Sequence, residues 1–135
     1  MNGNQQVSVR VTQAGSTWSA GTAREHALVM DRPEAKGGHN RGPLGGETFL
    51  MALGGCFMSN LLAAAKAREL DVSNVQLSIA GTLGSAPPRY TDISMAIAAD
   101  YTDRDQMEKV VTVAERGCVV ANTLKGMLKL DIVLG

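Results

Sequence analysis

From Thr48 to Ala65 the chain carries no charged side chain, and this stretch restricts the fold more than any other feature of the sequence. A run of about 20 apolar residues would cross a bilayer as a helix, so a membrane span is the first reading to weigh. Gly54, Gly55, Ser59 and Asn60 interrupt the run, and the segments on either side read as soluble sheet. We therefore expect no membrane association and a helix over Glu47–Lys66 that is buried on nearly all sides. A chain of 135 residues has limited means to wrap such a helix, because small domains bury a small share of their surface. A partner subunit is expected to cover part of it.

The remaining segments alternate in the manner of half-buried strands. Val7, Val9 and Val11 alternate with Ser8, Arg10 and Thr12, which predicts a first strand. Further strands follow at Trp18 to Ala20 and His26 to Met30, giving a small antiparallel meander. Ala35 to Gly46 is glycine-rich and irregular, a loop leading into the charge-free helix. Val75, Leu77 and Ile79 share one face, as do Ile93, Met95 and Ile97, with turn residues from Gly84 to Pro88 between them. These two strands form a hairpin. Asp103 and Gln106 have capping-box spacing, and Met107, Val110, Val111 and Ala114 then mark an amphipathic helix. Leu128, Leu130, Ile132 and Leu134 close the chain with a strand. The order β-β-β-α-β-β-α-β predicts an α+β class and a single domain over residues 1–135, with no internal repeat.

Composition removes several functions. Thirteen basic side chains oppose thirteen acidic ones, so no basic stripe is available for phosphates and nucleic acid is not an expected partner. Aromatic residues make up 4%, too few for base-stacking platforms. Met1 to Gln6 is polar and lacks the pattern of a secretory signal, which places the chain in the cytoplasm as an expectation. In that reducing compartment two cysteines are core fillers, metal ligands or redox groups.

Cys56 lies in Leu53-Gly54-Gly55-Cys56-Phe57-Met58 on the charge-free helix. Packing is the bland reading, since cysteine behaves as a small hydrophobe. Against it, the adjacent glycines leave room for a close approach to the sulfur, and the preceding loop offers Arg32, His39, Arg41 and Glu47. Cations there would favour the nucleophilic thiolate. Cys118 follows Gly117, where the second helix breaks or restarts; if it begins a helical turn, the free N–H groups would favour its own thiolate. Filler and function stay open for both. His26, His39, Cys56 and Cys118 are scattered without zinc spacing, so no metal is expected. No nucleophile elbow and no phosphate-binding glycine loop occurs.

Two segments then resemble one known family. Gly42-Pro43-Leu44-Gly45-Gly46-Glu47-Thr48-Phe49-Leu50-Met51-Ala52-Leu53-Gly54-Gly55-Cys56 is similar to the cysteine-bearing helix start of the OsmC/Ohr family, E-x-L-L-x-A-L-G-x-C after a Gly/Pro loop. Ala114-Glu115-Arg116-Gly117-Cys118-Val119-Val120-Ala121-Asn122-Thr123-Leu124 resembles that family's A-E-x-x-C-P-V-S-N-T-L. The resemblance implies an intertwined homodimer in which antiparallel sheets wrap two central helices. It also implies an antioxidant activity, a thiol-dependent peroxidase acting on organic hydroperoxides. Carried over, Cys56 is peroxidatic and Cys118 resolving, with Glu47 and Arg41 keeping the first sulfur ionised. No cofactor is implied beyond an external dithiol reductant of lipoyl type.

The departures are specific. Val119 replaces the usual proline, Ala121 the usual serine, and Gly45 a proline before the glutamate. The glutamate of the Ohr branch falls on Gly46, whereas Glu47 takes the position of the broader OsmC-like branch, about 100° around a helix. The Ohr-branch arginine falls near Trp18, so Arg24, Arg32 or Arg41 must substitute. A rival class is a non-catalytic dimer of the same fold that binds a small apolar ligand or senses oxidants.

Overall fold

The computed structural model describes residues 4–135. Its elements are β1 (Arg10–Gln13), β2 (Ser19–Ala23), β3 (His26–Met30), a single 3₁₀ turn (Glu34–Lys36), α1 (Gly45–Ala67), β4 (Val72–Ser85), β5 (Pro88–Tyr101), α2 (Arg104–Arg116), α3 (Val119–Leu124) and β6 (Lys129–Leu134). The class is α+β, with two three-stranded sheets and three α-helices. The chain divides into two compact units, residues 1–49 and 50–135, with α1 beginning in the first and running on in the second.

In the first unit, β1, β2 and β3 form the expected antiparallel meander. The first strand lies later than the valine alternation predicts. Arg10 to Gln13 pair with Thr22 to Ser19, and that register would carry Val7 onto Glu25, in the turn where β2 has already ended. Val7 and Val9 precede the strand and are exposed rather than half-buried. The loop after β3 closes tightly on it: a Cβ at Gly42 would run into the Val29 carbonyl, so the backbone itself requires glycine there.

The second unit holds the core. Leu53, Phe57, Leu61 and Ala65 recur every fourth residue of α1 and are buried with Ile93, Met95 and Ile97 of β5 and Met107, Val110 and Ala114 of α2. Gly54 lets the helix approach β4, since a Cβ there would stand 2.6 Å from Ile79 Cδ1. The helix is nevertheless buried along a stripe and not all round: Met51 and Leu62 are exposed, and only 33% of its apolar window is covered. By length and composition it is the one described helix that could cross a membrane.

β4 and β5 form the expected hairpin, each strand far longer than its apolar alternation, with irregularities between Ser73 and Gln76 and between Thr82 and Leu83. β6 corrects the expectation of purely antiparallel sheets. It pairs parallel to β5, Asp92 opposite Lys129 through Ile97 opposite Leu134. Parallel neighbours need a crossover connection, and α2 with α3 provides it. Asp103 caps α2, its Oδ1 accepting the Gln106 N–H at 3.1 Å. Arg104 ties the start of that helix to the last strand, donating to Tyr101 Oη at 3.0 Å and to Leu134 O at 3.2 Å.

Gly54→Val should press its branched side chain into Ile79 and destabilise the protein by about 1–3 kcal/mol, the usual cost of overpacking a filled core. Urea unfolding followed by circular dichroism checks this; an unchanged midpoint would show that the helix–strand contact is loose.

Candidate functional site

Two cysteines sixty-two positions apart in sequence share one patch of the core. Cys56 is half-buried on α1, on the helix face that also carries Leu53 and Phe57. Cys118 is fully buried. The chain leaves α2 through Gly117 and turns at Cys118 into extended backbone (φ −81°, ψ 110°) before restarting as α3. Cys118 is the N-cap of α3, its Sγ accepting the Ala121 N–H at 3.4 Å. Both thiols are free.

The opening turn of a helix leaves N–H groups without helical partners. Here the Val119 and Val120 N–H groups donate to the Cys56 sulfur, and the Cys118 side chain hydrogen-bonds to it as well. These contacts split the two thiols. Burial pushes the Cys56 thiol up, but Val120 N–H, the Cys118 side chain and Val119 N–H outweigh it and hold the group below an ordinary thiol. Burial pushes the Cys118 thiol up, and the bond to Cys56 with its negative charge adds to that, against opposing N–H groups of Ala121 and Val120. One sulfur is set to ionise first and the other to keep its proton. The N–H groups at the start of α3 favour ionisation of both sulfurs, as a cysteine opening a helical turn predicts, but at Cys118 burial and the Cys56 charge outweigh them.

The other candidates occupy the first unit. Asp31 is buried and accepts backbone N–H groups from Arg32, His39 at 3.0 Å and Arg41 at 3.1 Å. Burial raises its carboxyl, yet these donors and Thr17 hold it below the usual range. The loop so folded lays the Arg41 guanidinium over the Trp18 ring, 4.4 Å from its centroid. His39 meets the same ring edge-on and contacts Thr17 Oγ1 at 2.9 Å. Arg32 is exposed, and Arg24 sits in the β2–β3 turn with φ 55°. Glu47 reaches back at the start of α1, its Oε1 accepting the Leu44 N–H at 2.7 Å in a capping arrangement. It lies nine positions before Cys56 on α1, about 13.5 Å of helix rise. Among the described residues no three His, Cys, Asp or Glu cluster as metal ligands. An open cleft of about 480 Å³ is lined by Arg68, Asp105, Glu108, Lys109 and Arg116, without either cysteine.

The sequence model of the OsmC-like protein family matches residues 38–133. The chain belongs to the OsmC-like family. Its backbone is similar to that of an OsmC-like protein from Mycoplasma pneumoniae, with a TM-score of 0.85 at 14% identity over 98% of this chain and 97% of the other. It also matches an organic hydroperoxide resistance protein OsmC from Legionella pneumophila, with a TM-score of 0.72 at 14% identity over 99% of each chain. A third match is the organic hydroperoxide resistance protein OhrB of Bacillus subtilis, with a TM-score of 0.67 at 18% identity over 95% and 98%. No curated protein matches.

Val119 and Val120 are the site residues that sequence reasoning missed, because they act through main-chain atoms. One signal was present: the OsmC-like pattern has proline at position 119, and proline has no N–H to give. Valine there adds a donor. Proline suits the first position of a helix, and the extended backbone of Cys118 suits a residue preceding proline. Val119→Pro should therefore fold while raising the pH at which Cys56 ionises. Its alkylation by iodoacetamide at neutral pH should slow, with the midpoint of the pH–rate curve moved up toward an ordinary thiol; an unmoved midpoint would mean that the Val119 amide does not stabilise the sulfur.

Proposed function

We propose that this chain is a thiol peroxidase that reduces organic hydroperoxides. The observation that carries the reading is the hydrogen-bonded pair of unlike thiols, a thiolate-favouring Cys56 beside a proton-retaining Cys118. The Cys56 thiolate attacks the terminal peroxide oxygen, the O–O bond breaks, and an alkoxide leaves while the sulfur becomes a sulfenic acid. Cys118 then attacks that sulfur and expels hydroxide, which leaves a Cys56–Cys118 disulfide. An external dithiol of lipoyl type, in a reducing cytoplasm, would return both thiols. The apolar surroundings of Cys56 suit an alkyl or lipid hydroperoxide better than hydrogen peroxide. The charged cleft near α2 offers such a substrate no complement.

Arg41, the cation that the family resemblance carries over, is stacked on Trp18, near which the Ohr-branch arginine falls. Glu47 stands two and a half turns along α1 from the Cys56 of its own chain, where it caps the helix through the Leu44 N–H, and the family resemblance adds a homodimer. Support for that dimer comes from the face of α1 that its own chain leaves open. Met51, Ala52, Gly55, Ser59 and Leu62 are exposed there, and nothing lies within 4 Å of where a Gly55 Cβ would be.

One equivalent of cumene hydroperoxide added to reduced protein should remove two thiols within seconds, and Cys56→Ser should abolish the loss. Unreactive thiols would instead support a ligand-binding protein of the same fold. For the dimer, sedimentation should give twice the chain mass, and Gly55→Arg, which puts a charge on the uncovered face, should give the monomer. Flotation with lipid vesicles in place of dimerisation would sink this part of the reading.

A further inference from the structure

We propose that Cys118 is also the general acid of the first step, giving its thiol proton to the departing alkoxide and becoming in the same event the thiolate that closes the disulfide. The role rests on the peroxidase reading above. It answers a problem that reading leaves open. An alkoxide is a poor leaving group, and without a proton its departure is slow. Three groups hydrogen-bond to the Cys56 sulfur: the Val119 and Val120 amides and the Cys118 side chain. An amide cannot give up its proton at accessible pH, so of these only Cys118 is an acid.

Within the second unit the surroundings supply no ready alternative. Besides Cys56, α1 carries no titratable side chain between Glu47 and Lys66, and α3 carries none. The last turn of α2 brings Glu115, which is paired with Lys125 at 3.1 Å, and the exposed Arg116. The buried face of β5 presents Ile93, Met95 and Ile97, with Tyr90 and Tyr101 toward its two ends. On β6, Lys129 and Asp131 are exposed. Cys118 itself is fully buried, and its sulfur is held at the cap by the Ala121 N–H at 3.4 Å. That amide stays in place to stabilise the sulfur once it has lost its proton.

The step balances. The Cys56 thiolate and ROOH give the Cys56 sulfenic acid and an alkoxide; the alkoxide takes the Cys118 proton and leaves as ROH. The Cys118 thiolate displaces hydroxide from the sulfenic acid and forms the S–S bond. Two thiols, one of them ionised, and one hydroperoxide thus yield a disulfide, an alcohol and hydroxide.

The test follows the first step alone, by stopped-flow trapping of the sulfenic acid, with two peroxides that differ in leaving group. tert-Butyl hydroperoxide expels an alkoxide and needs the proton, whereas peracetic acid expels a carboxylate and does not. With the alkyl hydroperoxide, wild type should give a rate that rises as Cys56 ionises and falls as Cys118 ionises, the two limbs belonging to the coupled pair. Cys118→Ser keeps a hydrogen-bond donor that does not titrate in this range. It should lose the alkaline limb and slow on the order of 10²-fold with tert-butyl hydroperoxide, and lose far less with peracetic acid. Cys118→Ala should behave alike on the alkyl peroxide, and its circular dichroism reports whether the protein is still folded. Equal losses on both peroxides, or an alkaline limb that survives in Cys118→Ser, would overturn the acid role and leave the peroxidase reading standing. Wild-type thiols inert to both peroxides would overturn the peroxidase reading, and this role with it.

Discussion

The first two amides of α3 donate hydrogen bonds to a sulfur that belongs to another helix, and the rest of the site depends on that contact. Backbone donors cannot rotate away as a lysine can. They are held by the helix they begin, and that helix is fixed by Cys118 at its cap and by Ala121 and Leu124 in the core.

The same contact sets the division of labour between the thiols. Cys56 and Cys118 share a hydrophobic neighbourhood, and burial alone would keep both protonated. What separates them is position on α3. Cys118 is the cap and meets Ala121 N–H, whereas Cys56 meets the two amides before it and a thiol as well. A difference of one residue in where α3 begins would redistribute these donors. The extended backbone of Cys118, reached after α2 ends at Arg116, fixes that start.

Much of this was legible in the sequence, and the parts that were not share a cause. The alternation of Val75 to Ile79 and Ile93 to Ile97 announced the hairpin because one face of it is core. Asp103 announced the start of α2 because an N-cap is a local event. Val7 and Val9 misled, since alternation records a side-chain pattern and not the length of the neighbouring strand. β6 read clearly as a strand, yet its parallel direction depends on where α2 and α3 deliver the chain, which no periodicity encodes. The pairing of Cys56 with Cys118 came from resemblance to the OsmC-like family, because residues so far apart leave no local trace of their meeting. The amides of Val119 and Val120 were invisible for a simpler reason: every residue except proline has one. The resemblance also supplied Arg41 and Glu47, whose local roles, stacked on Trp18 and capping α1, could be seen only in three dimensions.

Because β6 lies parallel to β5, the segment carrying Cys118 is secured at both ends only when the last strand has joined the sheet. Until then the Val119 and Val120 amides are not held against the Cys56 sulfur, and both sulfurs behave as ordinary thiols. Chemical reactivity at position 56 therefore gauges how completely the second unit has formed.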